Sequence, residues 1–110
     1  LALENGNLSD VITIDEAALA GLAPAAVLER IAALDAASIY DGPGRVAQPD
    51  EVWNFGRGDG LEKCFLAANL LGGEEICVEG GEAALLADGR ALCAFPTVKR
   101  PRETRIALRR

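Results

Sequence analysis

The stretch Gly56 to Ala68, GRGDGLEKCFLAA, combines a glycine-spaced loop, a charged pair in Arg57 and Asp59, and a thiol at Cys64. Glycines ahead of a helix amino terminus let backbone N–H groups converge on an anion, and Arg57 adds positive charge to such a cradle. The spacing is not GxxxxGK[ST], however, and matches only part of GxGxxG, without the strand that should precede it. Asp59 brings its own carboxylate to the place an anion would need. With Glu62 three residues on, it is positioned as the N-cap of a capping box, Asp standing in for Ser or Thr, and the cap is the reading this spacing favours. Cys64 falls one turn further in, on an apolar stripe where a thiolate is desolvated and its acidity reduced. Arg57-Gly58-Asp59 also spells the adhesion tripeptide, but an Asp that caps a helix is not displayed at a loop tip.

A second set of candidates precedes it in Tyr40 to Gly60, YDGPGRVAQPDEVWNFGRGDG, which shows no sustained period and reads as an ordered loop or pair of turns. Two carboxylates can hydrolyse a glycosidic bond without histidine, and a tryptophan can stack on a sugar ring. Tyr40, Asp41, Arg45, Asp50, Trp53, Arg57 and Asp59 are therefore the candidate ligand-binding residues. The three aspartates also occupy ordinary turn or cap positions, in DG, PD and GDG. Trp53 and Phe55 are expected to anchor the segment in the core.

The chain contains no histidine, which excludes a Ser-His-Asp or Cys-His catalytic set and any His-ligated metal within it. Its three cysteines, without CxxC spacing, make neither a disulfide framework nor a zinc site. No catalytic residue, metal ligand or cofactor is assigned. A reducing compartment, the cytoplasm, is the expected location. Residues 1–98 carry −11, and residues 99–110 a basic tail of +5. An acidic body repels phosphate backbones, so nucleic acid is not an expected partner, and the tail is expected to lie along the body or in solvent. No apolar run approaches the roughly eighteen residues of a membrane span. The chain starts at Leu1 and lacks Met. It is read as the C-terminal part of a larger protein, with the upstream part or another subunit as its partner; the Arg and Ala usage suggests a GC-rich bacterial genome.

At 110 residues, half of them hydrophobic, the chain suits one small domain. A brief helix capped by Thr13 or Asp15 and ended by Gly21 should open it, with Val11–Ile14 before it read as a short strand or as the entry into that helix. A firmer helix follows from Pro24, with Val27, Leu28, Ile31 and Leu34 at helical spacing. Leu61 to Leu71 forms another, with Leu61, Cys64, Phe65 and Ala68 inward and Glu62 and Asn69 opposite. After Gly73 the period becomes two, and EEICVEGGEAALLADGRALCAFP reads as three strands joined at Gly80-Gly81 and Asp88-Gly89. Unbroken two-residue turns would set Ile76, Val78, Ala83, Leu85, Leu92 and Ala94 on one apolar face. They would also leave Cys77 and Cys93 together on the other face, roughly 9.5 Å apart. That second face reads as a surface for the upstream part of the protein. Thr104 to Leu108 is a candidate fourth strand. The expected architecture is α+β: two or three helices packed on a three- to four-stranded antiparallel β-meander.

Gly58 to Gly73, GDGLEKCFLAANLLGG, resembles the nucleophile helix of transglutaminase-like proteins, where Gly-Asp-Cys-x-Asp/Glu-Lys/Tyr-Ala opens a Leu- and Ala-rich helix closed by glycine before strands begin. Gly58, Asp59, Glu62, Lys63 and Leu66 agree with that pattern, and Gly60 falls where the family keeps its cysteine. The resemblance covers sixteen of 110 residues. It implies a degenerate member that keeps the helix and strands and has lost acyl transfer. Residues and resemblance together point to a non-catalytic ligand- or protein-interaction domain using the Tyr40–Gly60 segment. The alternative is part of a carbohydrate-active enzyme, or a sugar-binding domain, whose catalytic groups lie elsewhere.

Overall fold

The computed structural model describes residues 23–108. Their elements are helices α1 (Pro24–Ala32), α2 (Pro49–Phe55) and α3 (Gly60–Leu71), then strands β1 (Glu75–Glu79), β2 (Glu82–Ala87), β3 (Arg90–Pro96) and β4 (Arg105–Ala107). The fold is α+β, as expected. Val11–Ile14, read as a strand or a helix entry, and the helix expected to end at Gly21 lie outside the described residues.

Pro24 opens α1 because the first position of a helix has no use for its missing N–H. Val27 and Ile31, four apart, are the buried residues of this helix, with Leu28 and Leu34 packed against the core edge. The segment expected to lack regular structure contains α2. Pro49 again starts the helix, Gln48 and Glu51 form a reciprocal capping box, and Gly56 closes it in the left-handed conformation. At seven residues the helix is too short to show a period, so its caps were the only available signal.

Helix α3 is the centre of the molecule, packed on β2 and β3 on one side and on α1 and α2 on the other. Leu61, Cys64, Phe65 and Ala68 are buried as expected, but so are Glu62, Lys63, Leu66 and Ala67. Glu62 was expected on the outer face; it is fully buried because α2 and the chain before it pack across that face.

The first two hairpins have two-residue turns with left-handed backbone at Gly80 and Gly81 and at Asp88 and Gly89. Cys77 opposite Ala84 is the expected register. Between β2 and β3 the register slips: Leu86 faces Ala91, but Leu85 faces Cys93 and Ala83 faces Phe95. Leu92 is the extra residue of a bulge, and every side chain after it changes face. Cys93 and Phe95 therefore turn toward the core beside Ala83 and Leu85, while Leu92 and Ala94 are exposed. This corrects the expected apolar face and puts Cys77 and Cys93 on opposite sides of the sheet. Burying an aromatic ring instead of an alanine methyl favours the bulged register. Strand β4 pairs with β1, Ile106 opposite Ile76, so the order is β3-β2-β1-β4.

At Gly60 a Cβ would stand 2.0 Å from the Pro96 carbonyl oxygen. The absence of a side chain there sets how closely α3 approaches the end of β3. Gly60→Ala is expected to cost roughly 3 kcal/mol or more through backbone displacement. At Gly44 an added Cβ meets nothing within 4 Å, and Gly44→Ala should stay within about 0.5 kcal/mol. Urea unfolding of the two variants checks the contrast.

Candidate functional site

The start of α3 is tied off by its own side chains. Asp59 Oδ2 accepts from the Leu61 amide at 2.8 Å and from the Thr97 hydroxyl, and Oδ1 accepts from the Val98 amide at 2.8 Å. Both oxygens are engaged and the residue is 3% exposed. The cap therefore also ties α3 to the chain leaving β3. Glu62 returns the capping box, its Oε1 accepting from the Asp59 amide at 2.8 Å. Its Oε2 accepts from Ser38 Oγ and from the Ala47 amide, each at 2.7 Å. One buried carboxylate thus holds the helix start and both ends of the 38–47 segment.

Three cations complete the frame by donating to backbone carbonyls. Lys63 Nζ reaches the Leu34 and Ala32 oxygens at the end of α1, at 2.6 and 3.4 Å. Burial lowers its pKa below the usual lysine value. Lys99 Nζ donates to the Tyr40 and Gly42 oxygens at 3.0 and 2.9 Å, and the Arg100 amide donates to Pro43 at 2.7 Å. Arg57 Nε and Nη2 clamp the Ala37 and Ser38 oxygens at 2.9 and 2.7 Å. Arg57 is therefore a clasp on the chain rather than the charge of an anion cradle. Of the two placements expected for the tail, it takes the one along the body: Lys99 is 1% exposed, and residues 105–107 form β4 within the expected fourth strand. The ion pair of Arg105 with Glu75, 2.6 Å, is largely solvated and adds little.

Of the remaining candidates, Tyr40 and Arg45 meet. The guanidinium lies over the ring, 3.8 Å from its centroid, and the phenol donates to Glu51 Oε2 at 2.5 Å. The hydrogen bond to Glu51 raises the Tyr40 pKa above its ordinary value, with burial adding to it. Asp41 is exposed, Asp50 is in the first turn of α2, and Trp53 is half-buried on the same helix. Trp53 packs against the core, as expected of an anchor. Phe55 does not: it is 64% exposed, because Pro49 and Val52 take the inward face of α2.

Beside this segment lies a groove of about 770 Å³, walled by Gly44 and Val46 on one side and by Arg100, Arg102 and Arg105 on the other, with Leu61 and Phe65 beneath. Sequence reasoning missed this groove, and also Glu62, Lys63 and Lys99. The capping-box position of Glu62 was its one visible signal; Lys99 acts across about sixty residues of chain, which no local pattern encodes.

Among the described residues no helix is long and apolar enough to cross a membrane, and no cluster of three or more Cys, Asp or Glu is arranged to hold a metal ion. Comparison with protein-family models, with curated proteins and with solved structures returns no match to this chain.

Glu62→Ala strands three donors, and should cost about 3 kcal/mol while raising hydrogen exchange at the Ala47 and Asp59 amides. Unchanged protection there would contradict the tie. Tyr40 is the only tyrosine, so tyrosinate absorbance reads it alone. Its midpoint should lie above 10.0, and Glu51→Gln should bring it back toward that value. Because the folded pKa is the higher one, this contribution to stability is complete below the unfolded value and is lost as pH rises through the folded one.

Proposed function

We propose that the chain is a non-catalytic interaction domain that presents the Tyr40–Gly60 segment, with the adjoining groove, to a ligand or protein partner. What carries the reading is that a surface segment, irregular apart from α2, is braced by the buried Glu62 and Lys99 and by the half-buried Arg57. Such bracing costs the chain conformational freedom before any partner arrives, and a surface ordered in advance binds with a smaller entropy loss. The segment shows Phe55, part of Trp53, and the Tyr40–Arg45 stack, residue types that make contacts at interfaces. The groove is in the size range of ligand sites.

The rest of the site supports binding over chemistry. Asp59 has no free oxygen, Cys64 is fully buried, and Gly60 leaves no room for the cysteine that the transglutaminase-like pattern would place there. The partner is the remainder of a parent chain or another subunit, with a carbohydrate as the second class of ligand.

Titration with the parent polypeptide and with an oligosaccharide panel, followed by Trp53 fluorescence and amide shifts, tests this. Shifts should concentrate at Tyr40, Arg45, Trp53 and Phe55, without turnover. Phe55→Ser should weaken binding at least about tenfold, as expected for loss of an anchoring aromatic, with stability changed by no more than about 0.5 kcal/mol. Shifts confined to the outer face of the sheet, or turnover of any substrate, would reject the proposal.

A further inference from the structure

Cys64 and Cys93 meet between α3 and the sheet. Cys64 is on the inward stripe of α3, fully buried, with Sγ 3.3 Å from the Ala83 carbonyl oxygen of β2. Ala83 is paired with Phe95, and Cys93, two residues earlier on that neighbouring strand, points to the same side. Both thiols therefore face the space between α3 and the sheet, close enough for each to perturb the other's ionisation. The bulge at Leu92 creates this contact: without the extra residue, Cys93 would face the other side of the sheet with Cys77. Bulges are commonly used to re-aim a side chain in this way.

We propose that Cys64 and Cys93 are a reversible dithiol–disulfide pair, closed by a peroxide, that staples α3 to β3. Cys93 is the half-buried member and the one an oxidant meets first. The neighbouring Cys64 thiol, joined by a backbone hydrogen bond from Leu85, lowers the pKa of Cys93 against the opposing effect of burial. Its thiolate attacks one peroxide oxygen; an S–O bond forms, the O–O bond breaks, and the hydroxide released takes up a proton to leave as water. Cys64 is held protonated first by the neighbouring Cys93 and then by burial. When Cys93 has become a neutral sulfenic acid, the first of these causes is gone. Cys64 then gives its proton to the departing hydroxyl, its sulfur bonds to that of Cys93, and a second water leaves. In sum, two thiols and one hydrogen peroxide give one disulfide and two waters. A transient bond of this kind is the form disulfides take in reducing compartments.

The test exposes the full chain to a few equivalents of hydrogen peroxide under native conditions, blocks free thiols with iodoacetamide, and reads intact mass and peptide map. The chain should lose two hydrogens, show a cross-link between the Cys64 and Cys93 peptides, and retain one alkylatable thiol at Cys77. Dithiothreitol should restore all three, and the oxidised form should have the higher urea midpoint. Cys77→Ser should leave the cross-link intact and Cys93→Ser should abolish it; the wild-type peptide map decides the matter if that variant does not fold. No mass loss in the native chain, a cross-link through Cys77, Cys93 stopping at sulfinic acid, or a disulfide that forms only in urea would each overturn the assignment.

Discussion

The close approach of α3 to the end of β3 is the constraint from which the rest of this structure follows. It exists because position 60 has no side chain and Asp59, immediately before it, spends both carboxylate oxygens on the two strands of chain it joins. An N-cap ordinarily satisfies one or two orphan amides of its own helix. Here the same carboxylate also accepts from Thr97 and Val98, so helix start and strand exit are positioned as one unit. The direction in which the chain leaves β3 then fixes where Lys99 and Arg100 reach the turn at Tyr40 to Pro43.

Burying Glu62, Lys63 and Lys99 in so small a domain would be costly if they were isolated charges. None is isolated, and among the described residues none of the three forms an ion pair. The carboxylate accepts from an amide on either side of it and from a hydroxyl, while the ammonium groups donate to carbonyls that loop backbone would otherwise leave unsatisfied. The long connections between α1 and α3 cannot supply these partners themselves, being without a ladder or a sustained helix. Side chains from α3 and the tail therefore take the place of secondary structure along residues 32–47.

What could be read from the sequence is local, and what could not is where distant segments compete. The proline starts of α1, the Asp59–Glu62 capping box, the glycine end of α3 and the two hairpin turns are each encoded within five residues and emerge where their patterns put them. Helix α2 carried the same kinds of signal, Pro49 and Gly56, but was overlooked because seven residues do not establish a period. The bulge at Leu92 had no signal in the turn: strict alternation through ALCAF fits the ladder equally well, and only the volume of Phe95 against Ala83 selects the slipped register. At the candidate site, Arg45 is exposed and Tyr40 half-buried against the core, Arg57 and Asp59 proved to be clasps, and the polarity of Glu62 pointed the wrong way, since a charged residue on a helix is ordinarily solvated.

The slipped register also joins the two halves of the domain. Had β3 kept its alternation, Phe95 would face away from α3, and Lys63, whose ammonium stands 5.7 Å from that ring, would lack the aromatic surface along which it reaches the carbonyls of α1. The first helix is held partly through that lysine, α2 and the 38–47 segment through the neighbouring Glu62, and both residues belong to one turn of α3. The bulged register of β3 is thus linked to the opposite surface through Phe95, Lys63 and Glu62, whose contacts run from the sheet to α1 and the 38–47 segment.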